Sequence, residues 1–219
     1  KLQKKAASLT DIVAIYNFVA KIPEIKACLS NFAGDEVQCK ILQTKFVDAL
    51  TAQEGYYANF QKLVESSIDL SGIEQGEIGI KESFDTDFIK FFAQKKKVRQ
   101  EMEDQLIEAR QRLKDVSSVS LESDKQFGWV FRVTKRDEKV LDKPANKKVY
   151  AIVQSVKSGV KFTSPELKRL NGEMETIVES ISAASKVAID GILRITQTFV
   201  PVIDMSIETI AELDVFTTF

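Results

Sequence analysis

The side chains that could do chemistry in this sequence are mainly cations held close together. They form three runs: Lys135-Arg136-Asp137-Glu138-Lys139, Lys143-Pro144-Ala145-Asn146-Lys147-Lys148 and Lys157-Ser158. Residues 116–163 hold 10 Lys/Arg against 5 Asp/Glu, and the rest of the chain holds 21 against 27. A basic middle between acidic flanks points to a local anionic partner, because clustered cations draw polyanions through their summed field. A solvated lysine-rich surface is the plain alternative.

The other reactive types offer less. The 219 residues contain no histidine, which excludes histidine triads and histidine-bearing zinc sites. Cys28 and Cys39 stand eleven apart, a spacing of neither a CxxC pair nor a disulfide framework, and read as ordinary packed residues. The carboxylate pairs Asp85/Asp87 and Asp137/Glu138 read as helix-capping or solvated groups. The cluster Ser71-Gly72-Ile73-Glu74-Gln75-Gly76-Glu77-Ile78-Gly79 lacks a Gly-Lys-Ser/Thr ending and a preceding strand signal, so it reads as a flexible connector without a nucleotide site. No catalytic residue and no metal site is expected.

Position comes from the elements around the cations. Residues 2–80 read as several short helices: Leu9, Ile12, Val13, Tyr16 and Val19 recur at threes and fours, Ser8 and Thr10-Asp11 offer N-cap chemistry, and Pro23 interrupts. Gly34-Asp35 supplies a break, and further runs cover 37–50 and 54–70. Over about 85–115 a near-heptad stripe of Phe88, Phe92, Val98, Met102, Leu106, Ala109, Leu113 and Val116 predicts one long helix. A second is predicted over about 164–199 on Leu167, Leu170, Met174, Ile177, Ile181, Ala184, Ala188, Ile192, Ile195 and Phe199, with Ser164 as N-cap and Pro165 at N1. At 1.5 Å per residue they are roughly 46 and 54 Å long, too long for one compact globule. Paired antiparallel so that residue numbers sum to about 280, Leu113 meets Leu167, Leu106 meets Met174 and Met102 meets Ile177, which predicts a two-helix rod.

Between the two helices the composition turns to β: 119–121, 127–134, 149–153 and 159–163. The fold expected is mainly α with a small β insertion: a helical core block, two long antiparallel helices and a β-sheet at their tip. Its parts are 1–115, the β-rich tip 116–163, and 164–219. The basic runs fall in the tip's loops and no base-reading helix accompanies them, so phosphate contact without sequence readout is the physical expectation. The competing class is a coiled-coil arm whose β tip docks protein; its apolar anchors would be Trp129 and Tyr150, both better placed in a strand core. No apolar run reaches membrane-spanning length. The chain opens on Lys1 and closes on Phe216-Thr217-Thr218-Phe219 directly after a helical pattern, as a piece of something longer would.

The stretch from Gln126-Phe127-Gly128-Trp129-Val130-Phe131-Arg132-Val133-Thr134 to Val140-Leu141, followed by Gly159-Val160-Lys161-Phe162-Thr163-Ser164-Pro165-Glu166-Leu167, resembles the clamp region of MutS mismatch-repair proteins. Lys5-Ala6-Ala7-Ser8-Leu9-Thr10-Asp11 with Tyr16, and Lys81-Glu82-Ser83-Phe84-Asp85, are similar to that family's core segments. The resemblance implies a discontinuous helical core and lever with the clamp inserted between the long helices. It also implies double-stranded DNA gripped by its backbone, a second MutS homologue as heterodimer partner, and a nuclear location. Phosphate contact is carried over to Lys157 and Lys161, and further to Lys135, Arg136, Lys147 and Lys148, with Asp137, Glu138 and Asp142 limiting how many can act together. The family's mismatch-reading, connector and ATPase domains have no counterpart in the sequence. ATP and Mg therefore belong to the absent ATPase domain, and this segment is expected to be no enzyme and to need no cofactor.

Overall fold

A computed structural model describes residues 7–73, 78–114 and 119–218. Two units emerge, one of residues 1–86 with 184–219 and one of residues 87–183.

The first unit is helical. Its opening helix α1, Leu9–Ser30, starts where Ser8 and Asp11 close a capping box, the Asp11 carboxylate accepting from the Ser8 backbone N–H at 2.9 Å and hydroxyl at 3.0 Å. Pro23 does not interrupt it. A proline inside a helix costs about 3 kcal/mol. Leu9, Ile12, Val13, Val19 and Ile22 are buried along α1, and each such side chain contributes roughly 1.5–3 kcal/mol, so burial outweighs the missing hydrogen bond. The break at Gly34-Asp35 is real: Asp35 accepts from the Gln38 N–H at 2.8 Å, and Gln38 Oε1 accepts from the Asp35 N–H at 3.2 Å.

After that cap, α2 (Glu36–Leu42) and α3 (Asp48–Ser67) are joined without a loop by a π-helical turn, Gln43–Val47, that buries Phe46 and Val47. The two separate runs expected at 37–50 and 54–70 are thus one helical path. The glycine segment is not a plain connector either, since β1 (Ile68–Asp69) pairs antiparallel with β2 (Gly79–Ile80) across it. Gly76 lies outside the described residues, as do Lys5-Ala6 of the core-like segment and Val116 of the helical stripe.

In the second unit, α4 (Thr86–Arg112) and α7 (Pro165–Gln197) are the two long helices expected, α7 running on into the first unit. Ser164 caps α7, its Oγ accepting from the Leu167 N–H at 3.0 Å. Val98, Met102, Leu106, Ala109 and Leu113 share one buried cluster with Leu167 and Leu170, and Met174 and Ile177 pack against it. On the continuation of α7, Ile195 is exposed and Thr196 is buried in its place; the Thr196 hydroxyl donates to the Ile192 carbonyl at 2.8 Å, a backbone bond that lets a polar residue occupy an apolar position. The last helix, α8, is Val200–Thr218.

Four antiparallel strands, β3 (Ser120–Asp124), β4 (Gly128–Val133), β5 (Ala151–Val156) and β6 (Gly159–Thr163), form one sheet in the order β3-β4-β6-β5. Phe131 and Val133 of β4 stand opposite Phe162 and Val160 of β6, and all four are buried. Phe131, Phe162 and Tyr150 make an aromatic trio with ring centroids 5.3–6.3 Å apart. The basic stretch expected as loops between β4 and β5 is instead wound into a 3-10 turn, Lys135–Asp137, and two single-turn helices, α5 (Glu138–Leu141) and α6 (Pro144–Lys147).

Candidate nucleic-acid interface

The sheet's register decides which cations are free. Arg132 and Lys161 stand opposite each other on β4 and β6, on the face away from Phe131 and Phe162, where Glu122 and Asp124 of β3 also project by strand alternation. Arg132 Nη1 lies 3.1 Å from Glu122 and its Nη2 donates to the Ser158 carbonyl at 2.9 Å. Lys161 Nζ is 2.5 Å from Asp124, and that ammonium, with backbone N–H groups of Gln126 and Phe127, holds the Asp124 carboxyl down at about 2. This face is neutralised from within.

The wound segment spends cations in the same way. Lys135 Nζ is 2.6 Å from Glu138 and donates to Ser155 Oγ at 2.5 Å, and both groups hold the Glu138 carboxyl below the usual range. Lys147 Nζ is 3.3 Å from Asp142. Of the six cations singled out in the sequence, Lys161, Lys135 and Lys147 are therefore ion-paired. Arg136, Lys148 and Lys157 are exposed and have no ion pair among the described residues.

Two glycines shape the presentation. At Gly159, φ is +154°, and a Cβ would come within 2.7 Å of the Val133 carbonyl oxygen, so the turn after Lys157-Ser158 closes tightly on β4. Gly128, φ +70°, lies against Asn171 of α7, where a Cβ would sit 2.9 Å from Oδ1. Asn171 clasps the next residue on both sides: Oδ1 accepts from the Trp129 N–H and Nδ2 donates to the Trp129 carbonyl, each at 2.8 Å. The Arg99 guanidinium stacks on the Trp129 ring at 3.8 Å. The helices thereby fix the start of β4 through a half-buried Trp129; Tyr150 is buried, so neither is an exposed anchor.

Sequence reasoning missed Asn171 and Lys168, which belong to α7 and were counted with the returning helix. The i, i+42 separation of Asn171 from Trp129 leaves no local trace. The cysteines are free and less packed than expected: Cys28 is exposed and Cys39 is half-buried. Among the described residues no group of acidic residues and cysteines could hold a metal ion, and no helix is long and apolar enough to cross a membrane.

Residues 83–180, which span the sheet, all of α4 and about the first half of α7, match MutS family domain IV. The whole chain aligns with the DNA mismatch repair proteins MSH2 of Arabidopsis thaliana, 27% identical over 222 residues, and of Saccharomyces cerevisiae, 26% identical over 226 residues. It aligns equally with the Drosophila melanogaster DNA mismatch repair protein spellchecker 1, 26% identical over 221 residues. The chain is similar along its whole length to DNA mismatch repair proteins. It spans about a quarter of the length of these relatives, covering 23% of each. The mainly helical fold with small antiparallel sheets agrees with the MutS resemblance, and so do these DNA mismatch repair relatives.

Proposed function

We propose that this segment is the lever and clamp of its parent, holding duplex DNA through sequence-independent contacts to backbone phosphates. The observation that carries the reading is the sorting of charges on the sheet. Arg132, Lys135, Lys147 and Lys161 are neutralised by named carboxylates, while Arg136, Lys148 and Lys157 are left exposed without ion pairs among the described residues. Cations of that kind position a duplex but carry no base code. Lys161, Lys135 and Lys147 contribute by exchanging their carboxylate for a phosphate, at a cost in the sheet's own ion pairs. In the parent, the two long helices couple the sheet's position to an ATPase domain that uses ATP and Mg, a second MutS homologue completes a heterodimer, and the protein acts in the nucleus. The segment itself carries no catalytic group.

The alternative, a protein-docking tip, draws on β5. This edge strand exposes Ile152 (44%) and Val156 (39%), apolar residues that neither Trp129 nor Tyr150 provides.

Fluorescence anisotropy of a labelled mixed-sequence duplex, titrated with the chain at several salt concentrations, separates the two. With two to four phosphate contacts the slope of log K against log salt is expected at about −2 to −4, unchanged between sequences and smaller for Lys157→Glu. A chain that ignores duplex at low salt, or binds it with no salt dependence, returns the assignment to the protein-docking tip.

A further inference from the structure

The exposed cations do not lie at one place. From Ala151 at the start of β5 to Lys157 just past its end there are six residue steps, which at about 3.3 Å each make about 20 Å. Lys157 turns the chain at one end. Arg136 belongs to that end too, because its neighbour Lys135 reaches Ser155 and the turn follows Val133, the partner of Val160.

At the other end, where β6 passes into α7, lies a cleft of about 330 Å³ lined by Lys147, Lys148 and Lys168 together with Tyr150, Ser164 and Pro165. Lys147 is held by Asp142 at the rim, whereas Lys148 and Lys168 are exposed and have no ion pair among the described residues. The first-turn carboxylate of α7, Glu166, is occupied by Arg169 at 2.6 Å and does not offset them. Ser164 and Pro165 leave few free N–H donors at this helix start, so the positive field of the cleft comes from the lysines. At about 30 Å³ per water molecule, the cleft has room for a phosphate with part of its hydration shell.

We infer that this cleft is a second phosphate site of the clamp, taking a backbone phosphate of the duplex through Lys148 and Lys168. The inference rests on the duplex-gripping reading above. A separation of about 20 Å exceeds the roughly 12 Å width of the major groove and corresponds to about six base pairs along one strand at 3.4 Å each. Contact at the Lys157 turn alone leaves the sheet free to rock on the duplex; contact at both ends of β5 fixes its direction.

The test compares the chain with Lys148→Glu/Lys168→Glu and Lys157→Glu/Arg136→Glu variants. The readouts are salt-dependent duplex anisotropy and lysine acylation read by mass spectrometry, with duplex or inorganic phosphate added at matched ionic strength. Circular dichroism checks folding, and Lys148→Ala/Lys168→Ala replaces the charge reversal should that variant lose helix. Duplex is expected to shield Lys148 and Lys168 from acylation, including in the Lys157/Arg136 variant. Loss of the cleft lysines is expected to weaken binding roughly tenfold at 0.05 M salt and to lower the slope by about one. If the cleft variant keeps the original slope and Lys148 and Lys168 of the unsubstituted chain acylate freely under duplex while the Lys157/Arg136 variant weakens, the second site is wrong and the duplex reading survives. Shielding by inorganic phosphate but not by duplex overturns the backbone assignment in favour of a free anion. Failure of the chain and both variants to bind duplex overturns the inference and the function beneath it together.

Discussion

One polar network from each unit makes a contrast. In the helical unit a neutral one lies deep: Ser206, wholly buried on α8, hydrogen-bonds to Tyr57 and Gln53 of α3, and the Tyr57 hydroxyl also meets the Val202 carbonyl at 3.1 Å. On the outer face of the sheet the groups are charged and partly exposed, paired across strands as Arg132 with Glu122 and Lys161 with Asp124. Burying a charge is costly even when it is paired, whereas a hydroxyl needs only its hydrogen bonds. The contrast teaches that a solvent-facing sheet surface can keep its ions near water, where they exchange partners, while a packing face cannot.

The largest expected effect tests whether the units are separate in energy as well as in contacts. Phe131→Ala removes the centre of the aromatic trio and Phe60→Ala removes a fully buried ring of the helical unit; each should cost about 3–5 kcal/mol. Scanning calorimetry should show Phe131→Ala lowering the transition that also abolishes the near-ultraviolet signal of Trp129, and Phe60→Ala lowering the other. If both variants shift one common transition equally, the chain unfolds as a single unit and the comparison loses its energetic basis.

Next in size is Ser206→Ala, which leaves the Gln53 and Tyr57 groups buried with one partner fewer. About 1–3 kcal/mol is expected, read as a lower denaturant midpoint at unchanged slope. A loss under 0.5 kcal/mol would mean that the neutral network adds no more than the surface pairs do, since exposed ion pairs contribute about 0–1 kcal/mol.

These residues also mark how far the sequence could be read. The stripes of α4 and α7, the cap at Ser164 and all four strands of the sheet were legible because local spacing and chemistry dictate them. Pro23 inside α1 and the π turn at Gln43–Val47 were not, since each is a local misfit tolerated for the burial of Val19, Ile22, Phe46 and Val47. At the candidate interface the basic segments were legible, but the sorting of their members was not. That Lys161 meets Asp124 and Lys135 meets Glu138 depends on sheet register and on a turn that the loop composition concealed. Lys168 was hidden by its place in the helix after the strand rather than in a loop.

Smaller again is Asn171→Ala, which takes away both hydrogen bonds on Trp129. About 1–2 kcal/mol is expected, confined to the sheet-bearing unit. Faster amide exchange at Trp129 with unchanged exchange in α3 would show the effect staying local; equal acceleration in both would contradict the separation of the units.

The smallest effect lies in the charged pairs themselves and has a definite sign in pH. Asp124, held at about 2 by Lys161 and two backbone N–H groups, has a folded-state value below its unfolded one near 3.9. Its contribution is therefore fully present above about pH 4 and is lost as the pH falls toward 2. Glu138, lowered by Lys135 and Ser155, acts in the same direction. Thermal melts between pH 5 and pH 2 should show the sheet transition falling more steeply than in Asp124→Asn, which lacks the titrating group. The hydroxyl network of the helical unit has nothing to titrate over that range, so Ser206→Ala should lower its transition by the same amount at pH 5 and pH 3. A Ser206→Ala effect that grows on acidification would place a carboxylate in a network that holds none among its described members.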